Sequence, residues 1–576
     1  MTEDSASTPL LGHRAIPIEE EENITETESE VSQRSGMSDF FVGSFLGPAR
    51  SLPKPGENDS SFSTRTVLAP DRHAPFAPPH DPRIPIAPMP RNLGSSPEYN
   101  TFTRSPVSSP DERLMLPGIS EQEKFRDEIW LLSKYTLPIW GTHILELSLS
   151  MVSVFSLGHL GTIELAAASL AGMTANVTGF SVISGLICAL DTLLPSAYYR
   201  QPHMMGLWTQ RVGLVVLSVM PIVIAVWLNA DKLLLRLGQD PVIAHKAQQF
   251  LSVQAIGLPG HAIFELCRRY LQAQGIMHAP TVVLLIVSPL NALANYLLVW
   301  GPPYLRFGFL GAPLASALSM WLMALLCVLQ CRVAAQPNTW DGWSRKAFDR
   351  NGLKICCSLG LAGLLSLATE WWAWEIVGLV TAALGTTPLA SQSVLLITSS
   401  VTFQLPYGAA VAASVRVGNM LGAGFLTEAR RATYAALALA LVIGLLNSSL
   451  VFVARHQWGY LFSSDPIVVE LVASILPILA LFQLADCICG IAAGILRGCG
   501  RQSLSAGINL TAYYVVGIPT SLFLAFGPLH MGLAGLWWGL TVALVYGAGS
   551  ALWFVHRTDW QAVLRNLHHR IGDGEE

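Results

Sequence analysis

The stretches LAAASLAGMTANVTG, Leu165 to Gly179, and LASQSVLLITSSVTF, Leu389 to Phe403, are copies of one another, and their register organises the chain. Sliding the sequence by 224 positions (370 − 146) places Leu165, Ala166, Ser169, Thr174, Val177 and Thr178 on identical residues. Leu160-Gly161 then falls on Leu384-Gly385, and Glu146 falls on Glu370, each acid deep in a long apolar stretch. A duplicated apolar protein with acids in matching stretches reads as a transporter. Duplication gives two bundles that can rock against each other, and intramembrane acids mark the pathway.

Of the 576 residues, 51% are hydrophobic and 13% charged, against roughly 25% charged in a soluble protein. From about Leu131 onward, apolar stretches follow one another at spanning length, which needs ~20 residues. Twelve are counted, centred near residues 146, 180, 219, 258, 290, 320, 365, 402, 442, 480, 514 and 543. The predicted fold is an all-α membrane protein of two pseudo-symmetric six-helix bundles. Pro138, Pro259, Pro406 and Pro519 fall in or near these spans, where neighbouring helices can satisfy the freed carbonyls. The repeats run in the same direction, since Tyr270 to Gly275 resembles Ile495 to Gly500, so the halves have parallel topology.

Residues 1–125 are rich in Ser, Pro and acids, too polar to offset their ordering entropy, and are expected to form a disordered cytosolic tail. The first lobe is placed at 126–335, a linker at 336–351, the second lobe at 352–557 and a C-terminal tail at 558–576. One set of inter-span segments holds Arg200, Arg211, Arg268, Arg269, Arg332, Arg345, Lys346, Arg350, Lys354, Arg416, Arg430, Arg431, Arg497 and Arg501. The alternate set holds Lys232, Arg236, Lys246, Arg306 and Arg455, so the first set and both termini are expected in the cytosol. A formal charge of −4 gives no sign of a nucleic-acid partner. Nine cysteines in or beside apolar stretches read as buried thiols, and Cys487-x-Cys489 is read the same way and not as a metal site. No phosphate-binding or hydrolase signature occurs in a credible context, so nothing points to ATP as the driver.

Many short motifs then resemble one family. They include Gly158-His-Leu-Gly161, Asn176-Val-Thr-Gly179, Ala189-Leu-Asp-Thr192, Arg269-Tyr-Leu-Gln-Ala-Gln-Gly275 and Glu370-Trp-Trp-Ala-Trp-Glu375. Val415-Arg-Val-Gly-Asn419, Leu421-Gly-Ala-Gly424, Leu496-Arg-Gly-Cys-Gly-Arg-Gln502 and Tyr513-Tyr-Val-Val-Gly-Ile-Pro519 complete the set. From about Leu131 to His556 the chain resembles the multidrug and toxic compound extrusion (MATE) transporters, in their eukaryotic, fungal form. The resemblance implies a monomeric antiporter, not an enzyme, that expels small organic, often cationic, compounds across a plasma or vacuolar membrane. Inward H⁺ or Na⁺ would drive it, with no bound cofactor.

Glu370 is the foremost coupling candidate. An acid in mid-membrane costs at least ~2.5 kcal/mol on insertion scales, and desolvation disfavours the charged form of a carboxyl, so such a group can carry a proton. The resemblance places an essential acid on the seventh helix, where Glu370 stands, and a second at Asp486 on the tenth. Two acids in one cavity offer a proton pair or a sodium site; no other metal is implied. Glu146 with His143 three residues before it is either a second relay or a structural contact. The family's first-helix acid has Val154 in its place, and the eighth-helix acid of animal members has Ile397. Substrate-cavity candidates are Asn176, Trp371, Trp374, Glu375 and Gln404, the tryptophans because aromatic faces attract flat cations. Asp191 is expected to be structural, pairing with an arginine. Two rival classes remain: a lipid or lipid-linked-sugar flippase, which needs a basic cleft, and a membrane-embedded acyltransferase, which needs a nucleophile that His143 alone does not supply.

Overall fold

The computed structural model describes residues 120–463 and 465–572, and every regular element among them is helical. The expected disordered tail lies outside the described residues up to 119. Twelve helices are long and apolar enough to cross a membrane. They are α1 (Glu121–Gly158), α2 (Thr162–Tyr198), α3 (Met204–Leu228), α4 (Pro241–Ala273), α5 (His278–Trp300) and α6 (Gly308–Ala334). The second six are α7 (Arg350–Ala382), α8 (Thr386–Gly422), α9 (Leu426–Leu461), α10 (Pro466–Gly498), α11 (Gln502–Phe526) and α12 (Gly532–His556). A thirteenth helix, α13 (Trp560–Gly572), follows. All twelve expected span centres fall inside these helices.

The repeat is visible in how the helices begin and end. Asp240 and Asp465 stand at equivalent N-caps, each before a proline; Asp240 accepts from the Val242 amide at 2.8 Å and Asp465 from the Ile467 amide at 2.9 Å. Proline at the first helical position loses no bond, because that amide has no intrahelical partner. The same two helices stop at Gly275 (φ +78°) and Gly500 (φ +69°), left-handed positions that a side chain would strain. Helix α1 starts at Glu121, inside the expected tail. A capping box explains why: Ser120 Oγ accepts from the Glu123 amide and Glu123 returns a bond to the Ser120 amide.

The sequence places fourteen basic residues in connecting segments. The structure puts several inside helices instead: Arg211 in α3, Arg268 and Arg269 in α4, Arg416 in α8, Arg431 in α9 and Arg497 in α10. Helices of 25–38 residues exceed the ~20 that a bilayer needs, so their end turns carry these charges. Linker residues pack on the same end: Gln210 donates to the Gly342 carbonyl at 2.8 Å, and Tyr270 shares a 2.6 Å hydroxyl bond with Thr339.

The first six helices meet the second six at that basic end. Glycine makes the approach possible. A Cβ on Gly185 of α2 would stand 2.5 Å from the Leu364 Cα of α7, and one on Gly418 of α8 would stand 2.7 Å from the Pro195 Cβ of α2. Polar bonds cross at the same level. Thr192 Oγ1 donates to the Arg497 carbonyl at 2.5 Å, Gln502 Nε2 to the Cys188 carbonyl at 2.7 Å, and Asn419 Nδ2 to the Ala273 carbonyl at 3.3 Å. Among the described residues, no hydrogen bond or ion pair joins α1 beyond Trp140 or α2 before Gly185 to the second six helices. Among the described residues, the polar bonds between the two sets therefore gather at the basic end. All nine cysteines are free.

Candidate functional site

One charged cluster occupies the seam and a second lies beside it. At the basic end, Glu128 of α1 and Arg416 of α8 form a two-pronged pair, with Nε–Oε1 at 2.6 Å and Nη2–Oε2 at 3.0 Å. Glu128 is 1% and Arg416 4% exposed. Asp191 of α2 pairs with Arg269 of α4 at 3.1 Å and faces Arg497 of α10 at 3.6 Å. Arg431 of α9 reaches Glu121 of α1 at 2.6 Å and also pairs with Glu428. Arg269 further reaches the Tyr407 hydroxyl of α8 at 3.5 Å. Charges well removed from water persist only when paired, so in the Glu128–Arg416 pair each bundle's buried ion depends on the other. The expected arginine pairing of Asp191 is met.

A second cluster lies within the first six helices. Arg268 donates to Glu146 at 2.7 Å and to Glu265 at 2.6 Å, and His143 Nδ1 stands 2.9 Å from Glu146. The His143 ring meets the Tyr407 ring edge-on at 4.7 Å. Glu146 therefore sits in a network of two acids, an arginine and a histidine. Glu370, its repeat partner, is in a different situation. It is half-buried, and it has no hydrogen bond or ion pair among the described residues. Asp486, 7% exposed, likewise has none. Glu370, Asp486 and Tyr513 of α11 lie within electrostatic reach of one another, and Arg497 lies within reach of Glu370. Along α7, Glu370 is six residues beyond Leu364, which packs on Gly185 of α2 across the seam.

The cavity candidates are dispersed. Trp371 is exposed, whereas Trp374 turns inward, edge-on to Phe482 at 5.7 Å and tilted against Trp537 at 5.8 Å. Glu375 is half-buried and makes no polar bond among the described residues. Gln404 Nε2 donates to the Ser400 carbonyl of its own helix at 3.0 Å. Asn176 is exposed and opens a π-helical turn, Asn176–Phe180, within α2. A second such turn, Thr511–Gly517, carries Tyr513 in α11. Wide turns of this kind free a carbonyl and re-aim side chains, and they recur at functional positions.

Sequence reading missed Glu128 and Glu265, partners of Arg416 and Arg268, and gave Tyr513 only as part of a motif. Only Glu265 offered a cue: it lies three residues before Arg268, one helical turn away. Partners 288 positions apart, as in Glu128 and Arg416, leave no such trace. Among the described residues, no three His, Cys, Asp or Glu side chains are grouped as metal ligands.

A duplicated twelve-helix membrane protein whose bundles meet through ion pairs has the construction of a transporter. The MatE family profile matches residues 138–297 and 363–523, more than half the chain. An uncharacterized transporter of Schizosaccharomyces pombe is 39% identical over 79% of this chain and 85% of its own length. Mouse multidrug and toxin extrusion protein 2 is 34% identical, over 76% of this chain and 75% of that protein. The crystal structure of a eukaryotic MATE transporter, AtDTX14, is 31% identical with TM-score 0.71, covering 78% of this chain and 99% of that one. The chain belongs to the MATE family. It is a eukaryotic multi-pass membrane transporter of the multidrug and toxin extrusion type, not an enzyme.

Proposed function

We propose that the protein is a proton-driven antiporter that expels small organic cations, working as a monomer by alternating access between its two bundles. The observation that carries this reading is the pair Glu370 and Asp486: two carboxyls in mid-membrane, within electrostatic reach and without a bonding partner among the described residues. An acid kept in that position without a counter-ion is costly and so suits a group that is repeatedly loaded and unloaded. Proton and cation then compete for one negative site. The exposed Trp371 supplies an aromatic face, and Asn176, Glu375 and Gln404 supply polar contacts, for a flat cargo.

The link to conformation runs through Arg497. It faces Asp191 across the seam and also feels Glu370. Neutralising Glu370 therefore alters the field at the junction that holds the basic end shut. Coupling needs such a difference, because a ligand bound equally by both states shifts no equilibrium. Glu146 and His143 receive a supporting role, since Glu146 is tied to Arg268 in a fixed network. Two carboxyls offer few oxygens for a sodium ion, which favours the proton. The basic end faces the cytosol on charge grounds, in the plasma or vacuolar membrane.

The test is purified protein in vesicles with an imposed pH or sodium gradient and a fluorescent organic cation. Accumulation driven by the pH gradient, lost in Glu370→Gln with insertion and thermal midpoint retained, is the expected result. Movement driven by sodium alone would transfer the role to that ion. Full transport by Glu370→Gln would remove this carboxyl from the mechanism.

A further inference from the structure

After α12 the chain turns back and lays α13 across the basic end. Its apolar side, Trp560, Val563 and Leu567, is buried, and half-buried Arg570 extends that side one turn on from Leu567, while Arg565 and Asn566 are exposed. Asp559 caps it, accepting from the Gln561 and Ala562 amides at 3.0 and 3.1 Å. Between α13 and the turn joining α10 to α11 is a cavity of about 240 Å³. Arg501, Arg557 and Arg570 all line it, together with Gly500 and Asn566.

Three arginines converging on one cavity call for an anion, and the protein supplies too little. Arg501 donates to Thr558 Oγ1 at 3.1 Å and Arg570 to the Gly500 carbonyl at 2.9 Å; Arg557 lies 5.9 Å from the Trp553 ring. None of the three forms an ion pair among the described residues. The one acid in the lining, Asp559, has its Oδ1 committed to the helix cap. Burial also strips Arg570 of hydration, which lowers its pKa from the ordinary arginine value. Gly500 makes the arrangement possible. At φ +69°, a Cβ there would stand 3.0 Å from both Arg570 Nη1 and Thr192 Cγ2.

We propose that this cavity binds a phosphate group, carried on an anionic phospholipid headgroup or on a soluble phosphate compound. Planar guanidinium groups match phosphate oxygens two at a time, and phosphate-bearing headgroups collect at basic membrane ends. Bound there, the phosphate bridges α13 and the α10–α11 turn, whose Gly500 lies close to Thr192 of α2. It thus fastens the C-terminal helix over the seam. This site is separate from Glu370 and Asp486 and stands whether or not they couple transport.

The test uses the full chain in detergent, with dioctanoyl phosphatidylinositol 4-phosphate, inositol 1,4-bisphosphate, inorganic phosphate and dioctanoyl phosphatidylcholine as probes. Dissociation constants come from native mass spectrometry and thermal shift. Binding of a phosphate-rich probe, with affinity falling about tenfold or more in Arg557→Gln and unchanged in Arg565→Gln, is expected. The Arg557 side chain makes no hydrogen bond or ion pair among the described residues, so its replacement spares the fold; Arg570→Gln is the second variant. Much tighter binding of the lipid than of inositol bisphosphate assigns the headgroup, and equal binding assigns a soluble phosphate. The proposal is overturned if no phosphate probe exceeds phosphatidylcholine, or if Arg557→Gln and Arg570→Gln both bind as the parent does.

Discussion

Replacing Glu128 by glutamine tests whether ion pairs across the seam hold the basic end closed. The carboxylate is 1% exposed and meets both Nε and Nη2 of Arg416, itself 4% exposed, at 2.6 and 3.0 Å. Removing one partner of a buried pair costs about 3–5 kcal/mol, because a charge is left buried without compensation. That cost falls on the closed state alone if opening the seam returns Arg416 to water. At about 1.4 kcal/mol per factor of ten, the open-to-closed ratio should rise roughly 150- to 5,000-fold. Hydrogen exchange followed by mass spectrometry reads the shift without labels. Uptake should rise in peptides covering 121–136 and 409–422, the two stretches that pack against each other there. The double variant Glu128→Gln with Arg416→Gln should recover much of the protection, since no lone charge remains. Unchanged uptake in a folded Glu128→Gln protein would refute the reasoning, as would a double variant no better than the single one.

Other outcomes are equally specific. Asp486→Asn should lower gradient-driven efflux as strongly as Glu370→Gln while leaving the thermal midpoint near that of the parent, read by vesicle flux. Gly185→Val places branched carbon where a Cβ already stands 2.5 Å from the Leu364 backbone; overpacking of about 1–3 kcal/mol or more should appear as a lower thermal midpoint and greater exchange at the basic end. Glu146→Gln should destabilise less than Glu128→Gln, because Arg268 keeps Glu265 at 2.6 Å, and paired melting curves decide it.

The membrane fold was legible because a bilayer forces a long apolar run on every crossing, and a repeat makes one half vouch for the other. Glu370 and Glu146 were equally visible as acids in matching helices. Their divergence was not. It depends on Arg268, which approaches Glu146 from α4, a choice made by tertiary packing and recorded in no spacing. Trp374 shows the same limit: three residues from Trp371 in sequence, it serves the aromatic packing around Trp537. Ser120 and Glu123 were legible and overlooked, since the S-x-x-E pattern announces the start of α1 inside an otherwise polar segment. The linker 336–351 and the tail 558–576 read as polar connectors, yet part of each is tied down by particular bonds, from Gln210 to Gly342 and from Arg570 to Gly500.

The arginines that the charge rule would read as orienting the chain in the bilayer include those that pair at the seam of its halves. Arg269, Arg416, Arg431 and Arg497 each hold an acid on the far side of the seam or beside it. Biogenesis and the working cycle thus draw on a single stock of positive charge. Lysine in these places would preserve the topological signal, which counts cations, while forfeiting the flat two-toothed grip that only guanidinium offers.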